Sequence, residues 1–199
     1  LHTFVGSLFA DSSGNLYWEE SSDCTTSRQP TELVSATRDG AERWRKPVPG
    51  YSPLEGASGE WVVRMQSPTY GGDCDEGARV EAYRLNDGSQ AWSVDLKALL
   101  LPTAPPHTLL APNSLVIQRG QVWVLINSYD RNLSWLVKVD LSTGNVLQVT
   151  PLSGEHDFMV GDGVVLRAQF YNYPNSMVET FADDFEMQQA EKTAAEPEA

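Results

Sequence analysis

The chain has two cysteines, Cys24 and Cys74, and three histidines in 199 residues. Their spacing is not that of a Cys/His zinc site. Cations are also scarce: 14 Lys and Arg stand against 27 Asp and Glu, a formal charge of −13. Such a surface repels phosphate backbones, so no nucleic-acid partner is expected. No apolar run approaches the ~18 residues of a membrane helix. The best, Ala98 to Leu101, is stopped by Pro102, and no transmembrane segment is expected. Catalytic signatures are missing too: there is no G-x-S-x-G elbow, P-loop or Rossmann fingerprint. No n-region/h-region pattern opens the sequence. The start at Leu1 is read as a mature product or a fragment, with any signal peptide removed.

Turn formers and apolar residues are present in quantity. Hydrophobic residues make up 41% of the chain, enough to build a core, and 15 Gly with 12 Pro favour short strands over long helices. Part of the negative charge sits at the end. From Asp183 to Ala199 six acids (Asp183, Asp184, Glu186, Glu191, Glu196, Glu198) face only Lys192, which leaves −8 on the body. Residues 191–199 are expected to form a disordered acidic tail.

Two landmarks recur in step. Gly14, Gly59, Gly120 and Gly163 each open a β-rich run, at separations of 45, 61 and 43 residues. An alternating strand, a turn with Gly and a second strand follow the first three, as in "VEAYRLNDGSQAWSVDL" (Val80 to Leu96). The turn glycines Gly40, Gly88 and Gly144 lie 26, 29 and 24 residues after their opening glycines. Trp44 and Trp92 stand four residues beyond the first two turns, where the third copy has Gln148. The fourth copy has Asp183-Asp184 in place of a turn glycine.

This pattern is a unit of four short antiparallel strands. The first strand is placed at Ser7 to Ala10 in unit one and at Ser114 to Gln118 in unit three. The approximate units are 7–50, 54–97, 114–152 and 157–190. A single small sheet cannot cover both of its faces, but sheets stacked radially can. The expected fold is therefore all-β: a β-propeller, or part of one, of about four four-stranded antiparallel blades. The alternative is a β-sandwich with coincidental spacing.

The turn segments resemble the PQQ-like (quinoprotein-type, WD40-like) propeller repeat. Ala82, Asp87, Gly88 and Trp92 match it, as do Asp140, Thr143 and Gly144, and Ala36, Asp39, Gly40 and Trp44. The resemblance implies that Trp44 and Trp92 dock neighbouring blades, with Gly40, Gly88 and Gly144 making the turns. The family holds calcium- and PQQ-dependent dehydrogenases as well as non-catalytic scaffolds of the bacterial periplasm and outer membrane. The vicinal disulfide of the alcohol dehydrogenase type is absent, and no cofactor is expected.

Further candidates lie between the second and third strands of the units. Cys24 and Cys74 fall in such loops of adjacent units, on one rim. A disulfide closing about fifty residues would stabilise by about 4 kcal/mol on the chain-entropy model and would imply an oxidising compartment. The alternative is two unpaired thiols. Asp73, Asp75 and Glu76 offer hard oxygen ligands for Ca²⁺ on a Gly-rich loop that also reads as merely solvated. "FYNYPNS" brings Phe170, Tyr171 and Tyr173 near the rigid Pro174, a partner-binding candidate or ordinary packing. His156 has no nucleophile nearby in sequence and reads as structural.

The functional expectation is a non-catalytic extracytoplasmic module that is periplasmic, cell-surface or secreted. It would bind a protein or carbohydrate on one rim, with further blades of the same protein or an adjoining chain as another partner. The alternative is part of a PQQ-dependent dehydrogenase-like or other propeller enzyme whose catalytic residues lie elsewhere.

Overall fold

A computed structural model of the chain describes residues 4–5, 8–21, 31–48, 54–66, 78–105, 108–128, 133–153, 156–161, 164–169, 177–181 and 187–191. Beyond residue 155 only the backbone is described. The strands form four antiparallel sheets, each built from segments consecutive in sequence. Sheet one holds β1 (Phe4–Val5), β2 (Phe9–Ala10), β3 (Leu16–Ser21), β4 (Thr31–Ala36) and β5 (Glu42–Val48). Sheet two holds β6 (Leu54–Ser58), β7 (Trp61–Gln66), β8 (Arg79–Arg84) and β9 (Gln90–Asp95). A short helix, α1 (Leu96–Leu100), leads to sheet three: β10 (Leu110–Gln118), β11 (Gln121–Ser128), β12 (Leu133–Asp140) and β13 (Val146–Ser153). Sheet four holds β14 (His156–Gly161), β15 (Val164–Gln169), β16 (Met177–Phe181) and β17 (Met187–Glu191). The first strands lie against one another: β6 adjoins β2 and β10, and β10 adjoins β14. Each sheet thus radiates outward from its first strand, as a propeller blade does.

Several local features differ from the sequence reading. The first position of sheet one is filled by two two-residue strands, β1 and β2, both paired with β3, rather than one strand from Ser7. In sheet three the first strand begins earlier, at Leu110, and its register shifts between Pro112 and Ser114. Proline has no N–H to give the ladder, so the shift falls where a bond is lost anyway. The opening glycines are also not equivalent. Leu85 N–H bonds to the Glu60 carbonyl and Leu141 N–H to that of Gly120, so Gly120 occupies the place of Glu60 and Arg119 that of Gly59. Both Arg119 (φ +47) and Gly120 (φ +74) are left-handed, the requirement of a type I′ hairpin turn. Helix α1 was not anticipated. It starts because the Asp95 side chain accepts from Ala98 N–H, and it buries Leu96 and Leu100.

Alternation along each strand sends residues to two different neighbours. In β8, Val80 and Ala82 join Val63, Met65, Trp92, Val122, Val124 and Val137 in the core between sheets two and three. Tyr83 and Leu85 instead meet Tyr17, Leu33, Val48 and Val62 between sheets one and two. Trp123, Leu125, Leu136 and Leu152 cluster on the far side of sheet three.

An indole on the outer strand links each of the first two boundaries. Trp44 Nε1 donates to the Leu85 carbonyl at 3.1 Å, and Trp92 Nε1 to the Leu141 carbonyl at 2.8 Å. Each ring lies on the turn glycine of the next sheet. A Cβ built on Gly88 would stand 2.7 Å from the Trp44 ring, and one on Gly144 2.6 Å from Trp92. Both glycines have positive φ, at +69° and +73°. Glycine is therefore required twice over, for conformation and for space.

Gly40 shares the positive φ (+89), but among the described residues nothing lies within 4 Å of its Cβ position. Gly40→Ala should cost only the left-handed penalty, about 1–2 kcal/mol. Gly88→Ala and Gly144→Ala should add an overpacking cost of about 1–3 kcal/mol each. Urea unfolding of the three variants checks this ranking.

Candidate functional site

The turns joining the first to the second strand, and the third to the fourth, crowd one rim of the stack. Where sheets one and two meet on that rim, a cleft of about 340 Å³ opens, lined by residues that include Asp11, Tyr17, Arg43, Glu60, Arg84 and Asn86.

One wall is built by the loop "DSSGN". Asp11 Oδ1 accepts from the backbone N–H groups of Ser13 and Asn15, each at 2.9 Å. Its Oδ2 accepts from Asn15 Nδ2 at 2.9 Å and from Tyr17 Oη at 2.8 Å. Desolvation alone would raise the Asp11 pKa. The Asn15 side chain, Tyr17 and the two backbone donors outweigh it and hold the carboxyl down at about 2. Tyr17 Oη in turn accepts from Arg43 Nη1 at 2.8 Å, and the same nitrogen reaches the Ser35 hydroxyl and the Leu85 carbonyl. Burial, and then the bond to Asp11, push the Tyr17 phenol above its ordinary value. The opposite wall carries Glu60 and Arg84, whose guanidinium lies 5.0 Å from the centre of the Trp61 ring. The cleft therefore offers guanidinium, carboxylate, amide and hydroxyl groups on a fixed frame.

A second cleft of about 310 Å³ repeats the arrangement between sheets two and three, lined by Trp61, Arg119, Gly120, Gln121, Asp140, Leu141 and Ser142. There Asp140 takes the place of Arg84. Its carboxylate accepts from the hydroxyls and N–H groups of Ser142 and Thr143, which hold its pKa below the ordinary value.

Within the first boundary lies a fully buried ionic group. Arg64 Nε donates to Glu19 of sheet one at 2.7 Å, and Nη1 to Glu81 at 2.8 Å. Tyr83 Oη donates to Glu81 at 2.9 Å, and Gln90 Nε2 at 3.2 Å. Burial opposes charging Arg64, but Glu19 and Glu81 outweigh it and raise its pKa. Burial, then Glu81, raises that of Tyr83. The matching place at the next boundary is apolar, with Met65 and Val124 in the core.

Of the residues singled out from sequence, Trp44, Trp92, Gly88 and Gly144 meet at the sheet boundaries, whereas Gly40 stands apart at an outer turn. Cys24, Cys74, Asp73, Asp75, Glu76, Phe170, Tyr171 and Tyr173 lie outside the described residues, and so does the 192–199 part of the tail. The backbone of His156 pairs with Gln169 in sheet four. Among the described residues no group of three His, Cys, Asp or Glu side chains is placed to hold a metal. Sequence reasoning missed the cleft. "DSSGN" carries an Asx-turn signal, but nothing marks Arg43, Glu60 and Arg84 as neighbours.

Two outcomes follow from the charges. Arg64→Met should destabilise by about 3–5 kcal/mol, because two carboxylates stay buried without their cation. Glu19→Gln and Glu81→Gln added to it should restore part of the loss in urea unfolding. A depressed carboxyl stabilises above its unfolded pKa and loses that contribution as pH falls through the folded value. The 11–15 loop should therefore loosen between pH 3.8 and about 2. Amide exchange at Ser13 and Asn15 reads this, and Asp11→Asn should abolish the pH dependence.

No family model and no curated protein matches the sequence. Solved structures do match in fold. An acylaminoacyl peptidase from Pyrococcus horikoshii superposes with a TM-score of 0.60 at 7% identity, over 94% of this chain and 32% of its own. The periplasmic gluconolactonase of Pseudomonas aeruginosa gives 0.58 at 15% identity, over 95% of this chain and 53% of its own. A post-proline cleaving enzyme from Rickettsia typhi gives 0.59 at 12% identity, over 98% of this chain and 29% of its own. The chain spans between 29% and 53% of the length of these structures. Its four antiparallel sheets have the architecture of part of a β-propeller.

Proposed function

We propose that this propeller segment is a non-catalytic binding module of the PQQ-like repeat type, working outside the cytoplasm. Its partner, a carbohydrate or a protein, would be held on the rim where the first cleft opens. The observation that carries this reading is the cleft itself. Asp11 fixes Tyr17 and Tyr17 in turn holds Arg43, while Glu60, Arg84 and Asn86 face them across the boundary. A cleft that mixes guanidinium, carboxylate, amide and phenol groups suits a hydroxyl-rich ligand better than an apolar one. Carbohydrate is therefore the favoured class. An extracytoplasmic setting goes with a Cys24–Cys74 disulfide, and Asp73, Asp75 and Glu76 remain a Ca²⁺ proposal.

A second reading keeps one specific support. The three similar structures described above are all named as enzymes. On that reading these sheets are the propeller part of an enzyme whose catalytic residues lie elsewhere, and fold alone does not choose between the two.

Glycan and peptide arrays, followed by calorimetry on any hit, test the binding reading. Glu60→Ala with Arg84→Ala should weaken a glycan hit at least tenfold while leaving the urea midpoint unchanged. A bound quinone chromophore with stoichiometric calcium in protein from the native host would instead establish the enzymatic reading. Thiol titration under denaturing, non-reducing conditions should find no free thiol; two would refute the disulfide.

A further inference from the structure

The two clefts on the rim share one wall. Trp61 and Arg84 are register partners at the end of sheet two, with the guanidinium 5.0 Å from the centre of the indole. Arg84 lines the first cleft and Trp61 the second. Stacked sheets lie about 10 Å apart, so neighbouring clefts repeat at roughly that spacing along the rim. Each cleft is small. At about 340 and 310 Å³ they stand at the low end of the ~300–1,000 Å³ of ligand sites, so a ligand that uses both is long rather than bulky.

The second cleft is entered at the cost of backbone strain. The β10–β11 turn is Arg119-Gly120, where the β6–β7 turn is Gly59-Glu60. Gly59 takes φ +60 freely, but Arg119 takes φ +47 and is, among the described residues, the only non-glycine at positive φ. Such a turn ordinarily has Gly, Asn or Asp at this place, because left-handed backbone is strained for a longer side chain. The turn therefore does not explain the arginine. What Arg119 adds over glycine is a side chain at the wall of the second cleft, which also holds Asp140 and Gln121. Asp140 Oδ1 accepts from the hydroxyls of Ser142 at 2.7 Å and Thr143 at 2.9 Å, so the carboxylate is set in place without a ligand. Strain at a cleft residue beside a preset carboxylate marks a binding position.

The charges select the ligand. Arg43 and Arg84 balance Asp11 and Glu60 in the first cleft, and Arg119 balances Asp140 in the second. The clefts are thus near neutral on an acidic body, which disfavours an anionic chain. On the carbohydrate reading of the first cleft, on which this rests, we infer that the second cleft is a further subsite of the same site. The ligand is then a neutral linear oligosaccharide lying across the Trp61–Arg84 wall, and Arg119 sets the preference for chain length. A sugar unit held in one cleft brings its neighbour to the other at high effective concentration, so the two contacts multiply. An extended peptide is a poorer fit: it would add to a strand edge, and these clefts open between turns.

Length dependence tests the second subsite. The intact 199-residue protein is screened on an array of neutral linear glucans, mannans, galactans and xylans, each printed from the monosaccharide to the hexasaccharide. Calorimetry then measures the hits. Affinity should rise at least tenfold at one step in length and change little beyond it. Arg119→Gly should bring the long glycan down to the affinity of the short one while the urea midpoint holds or rises, because the left-handed strain is relieved. Gln121→Ala, which leaves the turn alone, should also weaken the long glycan. A fall in the Arg119→Gly midpoint means that the arginine serves the turn, and overturns its role in specificity. A glycan that binds equally at every length, is lost with Glu60→Ala and Arg84→Ala, and ignores Arg119→Gly overturns the second subsite while leaving the first cleft as the carbohydrate site. No hit at any length, or hits on peptides alone, overturns the carbohydrate reading and this inference with it.

Discussion

A four-stranded sheet has two apolar faces and can cover neither by itself. Everything in this molecule depends on how successive sheets close that gap, and at the first two boundaries they do it with an indole on a glycine. The ring needs a flat, side-chain-free surface, and the N–H needs an acceptor once it is buried. A left-handed turn glycine followed by a strand supplies the surface, and the carbonyl three residues before it supplies the acceptor. One residue type thus sets the turn and admits the neighbour, so the spacing from glycine to tryptophan is tied to the packing distance between sheets.

The same boundaries then differ in what they place beneath the indole. Between sheets two and three the filling is Val, Ile, Leu and Met. Between sheets one and two it includes Glu19, Arg64 and Glu81, removed from water. A buried ion pair is at best a modest net stabiliser compared with a well-packed apolar filling, but loss of its cation leaves carboxylates stranded out of water. The first boundary is therefore the more sensitive of the two to loss of a single partner. The polar cleft sits on that same first boundary and is lined by Tyr17, whose ring lies 6.0 Å from that of Trp44. Its side chains come from two sheets, so the ligand-facing geometry is only as fixed as the contact that joins them.

Much of this architecture was legible in the sequence, because the repeat is written in residues that act locally. Gly40, Gly88 and Gly144 announce turns, and Trp44 and Trp92 keep a constant offset from them. What was not legible depends on which faces meet. Glu19 and Arg64 are 45 residues apart and are joined only because β3 and β7 turn those positions toward each other. Gly59 and Gly120 looked equivalent by spacing, yet they occupy different places in two kinds of two-residue turn. Helix α1 was hidden in an apolar run whose cap, Asp95, also ends a strand. The cleft went unseen for the same reason as the ionic group: Arg43 and Arg84 are ordinary surface residues until two sheets are laid side by side.

The central claim is that the indole and the glycine act as one unit. A double-mutant cycle on Trp92→Ala and Gly144→Ala, read by urea unfolding, measures it most directly. If the ring and the missing Cβ share one space, removing the ring relieves the clash of the added methyl. The double variant should then be more stable than the sum of the single losses by about 1–3 kcal/mol. Strict additivity would mean that the two residues act independently, and would contradict the account.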